Sequence, residues 1–212
     1  MSMVREPGPP PARVAAPVAR RGRPPARNEI LRNGKFGGLD PAVLAKRFGT
    51  PFYAYDLDVV SRQVAVLRAV LPASFDLAYA AKANPNLAVL AHLRGLGLGA
   101  DVASGGELRH VLRAGFTAAD IVFTGPGKRD EELAAAVEAG VRVVTVESPG
   151  ELRRLARIAE GLGRRQPILL RAAVSEAARL ERVRLVGDDG AGKFGMDGAD
   201  LRLVAAEVVA SP

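Results

Sequence analysis

One lysine in this chain stands where a lysine can do chemistry. The stretch Phe75-Asp-Leu-Ala-Tyr-Ala-Ala-Lys-Ala-Asn-Pro-Asn86 runs apolar up to Ala81, presents Lys82, and turns at Asn84 and Pro85 into the next segment. In a barrel of parallel strands, active sites are built on the C-terminal strand ends. An amine walled in by apolar side chains has its ammonium form disfavoured and becomes nucleophilic toward aldehydes. That is the requirement for a Schiff-base lysine. The same spacing also suits a surface lysine with its stem on apolar groups and its head in water. These residues by themselves leave both readings open.

Other chemistries are excluded or weakly signalled. The absence of Cys rules out a disulfide framework, a thiolate nucleophile and Cys-ligated zinc. Only two histidines are present, His92 and His110, and both read as residues on helix faces, so no metal is expected. Gly125-Pro-Gly127 lacks the Lys-Ser/Thr of a phosphate-binding P-loop and reads as a strand-to-helix turn. Asp188-Asp-Gly190 has the composition of a calcium loop without the later Glu.

The elements that must position Lys82 follow from the pattern. The chain has 212 residues, is 48% apolar and carries a formal charge of +7. Residues 1–27 hold six Arg, one Glu and seven of the 15 Pro, and read as a disordered basic tail. That tail lacks an apolar h-region. No run approaches the about 18 apolar residues of a membrane span. From residue 40 the spacing predicts helices over Pro41–Phe48, Leu57–Val70, Asn86–Leu96, Glu107–Arg113, Asp130–Ala139, Glu151–Leu162 and Leu201–Val209. Between them it predicts extended segments over Pro51–Tyr55, Phe75–Ala80, Ala100–Ala103, Ile121–Thr124, Val141–Val146 and Ile168–Ala172. Glu151, Arg154 and Arg157 are expected on the exposed side of their helix. Strand and helix alternate about five times, which implies an α/β fold: a parallel sheet, buried on both faces, wrapped by helices. A closed eight-stranded barrel needs about 250 residues. The shorter run here leaves an open sheet or a partial barrel of five to six βα units as the alternatives.

Five segments in order along the chain carry a family resemblance. They are Pro51-Phe-Tyr-Ala-Tyr-Asp56, Tyr79-Ala-Ala-Lys-Ala-Asn84, Gly99-Ala-Asp-Val-Ala-Ser-Gly-Gly-Glu-Leu108, Phe123-Thr-Gly-Pro-Gly-Lys128 and Lys193-Phe-Gly-Met196. Over roughly residues 38–209 the chain resembles the fold-type III pyridoxal-phosphate decarboxylases, which act on diaminopimelate, ornithine or arginine. The resemblance implies a TIM-like (β/α)8 barrel, present here in part over residues 28–212, and pyridoxal 5'-phosphate as cofactor. It implies that Lys82 forms the Schiff base, that Asp101 and Glu107 are acids beside the cofactor, and that Arg171 lies near the ring. Ser104 to Gly106 would start a helix whose N–H groups favour an anion. A small amino-acid substrate, a homodimer in the full-length family, a cytoplasmic location, and no nucleic-acid or membrane partner are the further expectations.

Departures from the family pattern accompany these matches. After Arg171 the family continues Val-Asn-Pro, whereas this chain reads Ala-Ala-Val-Ser-Glu-Ala-Ala. Family members run to about twice this length. Their ring-stacking histidine, Gly-Gly-Gly phosphate loop and C-terminal β domain would come after Pro212. The expected activity is thus that of a diaminopimelate decarboxylase-like enzyme. The alternatives are a catalytically inactive fragment, one half of a split enzyme, or a decarboxylase of carrier-tethered amino acids.

Overall fold

The computed structural model describes residues 31–32, 34–173 and 194–210. The tail of residues 1–27, the altered segment after Ala173, the Asp188-Asp-Gly190 loop and Lys193 lie outside the described residues. The chain divides into two units, Met1–Asp56 and Leu57–Pro212.

In the first unit a two-residue hairpin pairs β1 (Leu31–Arg32) with β2 (Lys35–Phe36). Helix α1 (Pro41–Phe48) follows, as expected, with Asp40 accepting a 2.8 Å bond from the Ala42 N–H. The expected extended segment Pro51–Tyr55 joins no strand ladder.

The second unit alternates helix and strand. Its helices are α2 (Leu57–Val70), α3 (Leu87–Gly95), α4 (Gly105–Arg113), α5 (Asp130–Ala139), α6 (Pro149–Gly161) and α7 (Gly198–Ala210). Its strands are β3 (Ala78–Ala80), β4 (Gly99–Val102), β5 (Ile121–Phe123), β6 (Val143–Val146) and β7 (Ile168–Leu170). The strands pair in sequence order, and every pair is parallel. That order decides between the two alternatives for the sheet. Right-handed crossovers that always step the same way keep every helix on one face, as in a barrel wall. A doubly wound sheet reverses direction once. The chain therefore builds part of a TIM-like barrel.

The same stepping corrects one expectation, because only one face of the sheet is sealed. Ala100, Val102, Ile121, Phe123, Val144 and Val146 are wholly excluded from solvent. They pack with Leu108 and Val111 of α4, Leu133 and Val137 of α5, and Leu155 of α6. On the opposite face Asp101, Val122 and Val143 are only half-buried, and Leu169 is exposed. Strand β3 is shorter than the apolar run predicts. An edge strand is held only where its one neighbour runs alongside, and that is from Ala78 opposite Gly99 to Ala80 opposite Asp101.

A sixth strand position begins beside β7. Ala172 forms a parallel bridge with Met196, closed by Met196 N–H to Arg171 O at 2.8 Å and Ala173 N–H to Met196 O at 2.7 Å. Gly195 makes this approach possible. Its φ is +89°, and a Cβ there would stand 2.8 Å from the Arg171 carbonyl oxygen. Gly195→Ala should therefore cost at least about 1–2 kcal/mol from the left-handed backbone alone, read as a lower urea midpoint with the slope retained. Gly161→Ala at the end of α6 is the control: it meets nothing within 4 Å and should stabilise by up to about 1 kcal/mol.

Candidate functional site

A parallel sheet brings all its C-terminal strand ends to one edge, and the loops there carry most of the polar side chains singled out above. Lys82 lies in a single 3-10 turn, Ala81–Ala83, directly after β3. Ala81 is fully buried and anchors the turn, while Lys82 is exposed. The apolar walls expected around this amine are not there among the described residues. The sequence folds this way locally because two asparagines end the strand. Asn84 Oδ1 accepts the Asn86 N–H at 3.0 Å, and Asn86 Oδ1 caps α3 by accepting from Ala88 and Val89. The Tyr79 hydroxyl donates to Asn84 O at 3.4 Å.

Asp101 pairs in register with Ala80, so it borders the strand that ends in Lys82. Its Oδ1 accepts the Thr124 hydroxyl at 2.8 Å, which joins the ends of β4 and β5. Glu107 belongs to the start of α4. Its Oε2 accepts the Ala103 N–H at 2.9 Å, and its own N–H donates to Ser104 Oγ at 3.2 Å. Arg171 follows β7, with its N–H on Val146 O at 3.0 Å. Lys82, Asp101 and Arg171 thus share the edge, and Glu107 holds the loop beside it.

The helix start at Ser104–Gly106 departs from expectation. The Gly105 N–H donates to Glu132 Oε1 at 2.7 Å, and Glu132 Oε2 accepts the Arg129 N–H at 3.0 Å. A carboxylate of the chain itself therefore occupies the position foreseen for an anion. The backbone N–H groups of Arg129 and then Gly105 hold the Glu132 carboxyl below the usual glutamate range, against the opposing effect of burial.

Sequence reasoning missed the buried ionic network between the loops. Lys128, directly after the Gly125-Pro-Gly127 turn, is 3% exposed. Its Nζ donates to Gly125 O at 2.6 Å, Thr145 O at 2.7 Å and Glu151 Oε1 at 2.7 Å. Glu151 is not on the exposed side of α6 but is equally buried, and its Oε2 accepts the Glu147 N–H at 3.0 Å. The helix turns inward there because Ser148 caps it, accepting the Glu151 N–H at 3.1 Å, with Pro149 at its first position. The Ser148-x-x-Glu151 spacing was the available signal. Glu147, just past β6, pairs its Oε1 with Arg171 at 2.9 Å, and its buried Oε2 has no hydrogen-bond partner among the described residues. His92 contacts Ser61 Oγ at 2.8 Å between α2 and α3, as a helix-face residue would.

A cavity of about 850 Å³ opens at the other end of the sheet, among Phe75, Leu98, Thr117 and Arg142. None of Lys82, Asp101, Glu107 or Arg171 lines it, so size alone does not mark the site. No group of three or more His, Cys, Asp or Glu among the described residues is placed to hold a metal. No helix among them is long and apolar enough to cross a membrane.

The residues at the strand ends fit an anionic aromatic aldehyde. Lys82 offers a reachable primary amine, Arg171 a cation, and Asp101 a carboxylate oriented by Thr124. The buried Glu147 Oε2 leaves acceptor capacity unused at the same edge.

The chain is similar to several known proteins. Residues 57–211 match the family described as "Pyridoxal-dependent decarboxylase, pyridoxal binding domain". The chain is 38% identical to a diaminopimelate decarboxylase of Neisseria meningitidis serogroup B over 158 residues, 74% of this chain and 38% of that protein. It is 35% identical to an L-glutamyl-[BtrI acyl-carrier protein] decarboxylase of Niallia circulans over 154 residues, 73% of this chain and 36% of that protein. Among solved structures, diaminopimelate decarboxylase from M. jannaschii in co-complex with L-lysine superposes with a TM-score of 0.68 at 28% identity. That likeness covers 82% of this chain and 42% of that one. The chain spans well under half the length of these relatives.

Two predictions follow from the network. Lys128→Met should cost about 3–5 kcal/mol by leaving Glu151 buried and unpaired, and adding Glu151→Gln should recover much of it, as urea midpoints will read. Glu132→Ala should cost about 1–2 kcal/mol at neutral pH, chiefly by leaving the part-buried Gly105 N–H without its acceptor. A depressed carboxyl stabilises above the ordinary glutamate range and loses that effect as pH falls through its lower folded value. The gap between wild type and Glu132→Ala should therefore close on acidification, measured as unfolding midpoints against pH.

Proposed function

The chain belongs to the pyridoxal-dependent decarboxylases through its pyridoxal-binding domain, and on that premise we propose that Lys82 is the residue that holds pyridoxal phosphate for amino-acid decarboxylation. The observation that carries this reading is the position of Lys82: an exposed amine one residue past the buried Ala81, after a barrel strand whose last residue, Ala80, pairs in register with Asp101. The Lys82 amine would hold the cofactor aldehyde, and its nitrogen could carry a proton at that strand end. Asp101 stands in register with Ala80 at the end of the neighbouring strand, and the Thr124 hydroxyl fixes which way its carboxylate turns. Arg171 supplies positive charge from the far end of the same edge. Glu107 secures the loop after β4 through the Ala103 N–H. When bound, the cofactor supplies an electron sink for the carbanion left as carbon dioxide departs.

The substrate we propose is a free diamino acid of the diaminopimelate type. Support comes from the 38% identity with the Neisseria enzyme of that name. A second reading, an amino acid tethered to a carrier protein, is favoured by the 35% identity with the Niallia enzyme.

The test is peptide mapping after pyridoxal phosphate and borohydride. Reduction should place the label on Lys82, and Lys82→Ala should abolish the accompanying absorbance band. Label spread evenly over Lys35, Lys46 and other accessible lysines would overturn the assignment.

A further inference from the structure

Glu147 is a carboxylate at the strand-end edge that the proposed function does not use, and its surroundings are unusual. Its side chain is 5% exposed. A buried ionised carboxylate is costly unless both oxygens find partners. Here Oε1 meets Arg171 NH1 at 2.9 Å, and Oε2 is buried with no hydrogen-bond partner among the described residues. A guanidinium fork commonly satisfies both carboxylate oxygens at once. This pair uses a single bond, so stability by itself does not account for the arrangement.

The other contacts show what the arrangement achieves. The Glu147 backbone is fixed, because its N–H donates to Glu151 Oε2, and Glu151 is locked to Lys128. On the other side, the Arg171 guanidinium carbon stands 4.8 Å over the Phe194 ring. Arg171 is thus held by one edge and one face, while its side chain stays 39% exposed. Five N–H donors in a rigid fork, one of them tied to Glu147, leave a cation whose direction is set before any ligand arrives.

We infer that Glu147 is a positioning residue: it aims Arg171 at the molecule held on Lys82 and acts on that molecule only through Arg171. This inference rests on the proposed function, since it takes Lys82 as the point of attachment. A merely structural Glu147 would change the melting point and leave cofactor affinity of the folded protein alone. A positioning Glu147 changes affinity through one partner, which a double-mutant cycle isolates.

The experiment titrates the full chain with pyridoxal phosphate by absorbance, for wild type, Glu147→Gln, Arg171→Met and the double variant. Borohydride trapping at Lys82 is run alongside. Glu147→Gln should weaken binding by about five- to tenfold and shift the absorbance band, and the double variant should bind no worse than Arg171→Met alone. Wild-type affinity in Glu147→Gln, or losses that add in the double variant, would overturn the inference while Lys82 still takes the label. Absence of label on Lys82 in wild type would instead sink the proposed function itself. Should Glu147→Gln fail to fold, Glu147→Asp keeps the charge and withdraws it by one methylene. It should show the same weakened binding, and unchanged binding would count against the inference.

Discussion

An ammonium almost wholly excluded from water must find three acceptors, and Lys128 takes them from three segments. They are the carbonyl of Gly125 after β5, the carbonyl of Thr145 inside β6, and the carboxylate of Glu151 on α6. Removing either charge leaves the other stranded in a medium that penalises it by several kcal/mol. The loops after β5 and β6 therefore cannot move independently. Glu151 then spends its second oxygen on the Glu147 N–H. Through Glu147 the constraint reaches Arg171, the residue that also receives the sixth strand position at Met196.

The opposite half of the mouth is tied by different means. Glu132 of α5 crosses to the Gly105 N–H at the start of α4, and Asp101 and Thr124 join the ends of β4 and β5. Gly125 passes close over Ala103, where a Cβ would sit 3.1 Å from the Ala103 oxygen. The result is an edge in which neighbouring loops are cross-linked by single, well-defined contacts. Lys82 is set in its own turn by asparagine side chains, so it stays accessible while the rest is fixed. A reachable amine on a rigid rim supports the role proposed for Lys82, although the apolar walls expected from the sequence are not found among the described residues.

Much of this was legible in the sequence, for local reasons. Helices α1, α2 and α5 run as the apolar spacing and caps predict, because those ends are encoded by single residues such as Asp40 and Gly140. The strand core was legible in the β-branched run ending at Val146. Strand lengths were not, since a ladder exists only where a neighbour runs alongside, and that is a property of the sheet. The one-sided burial of the strands was also hidden. It depends on every crossover stepping in the same direction.

The residue types and their order settled the parallel α/β repeat, the placement of Lys82 at a strand end, and the five segments that resemble the decarboxylases. Each of these needs only neighbours along the chain: a cap, a breaker, an apolar period. Which charges meet was decided by tertiary structure. Lys128 and Glu151 are 23 residues apart, and Arg171 and Glu147 are 24 apart. Apart from the Ser148-x-x-Glu151 cap spacing, nothing in their local sequence distinguishes these buried pairs from solvated charges. Parallel register brings the strand ends together, and burial there makes the pairing obligatory, because water is no longer available to take either charge.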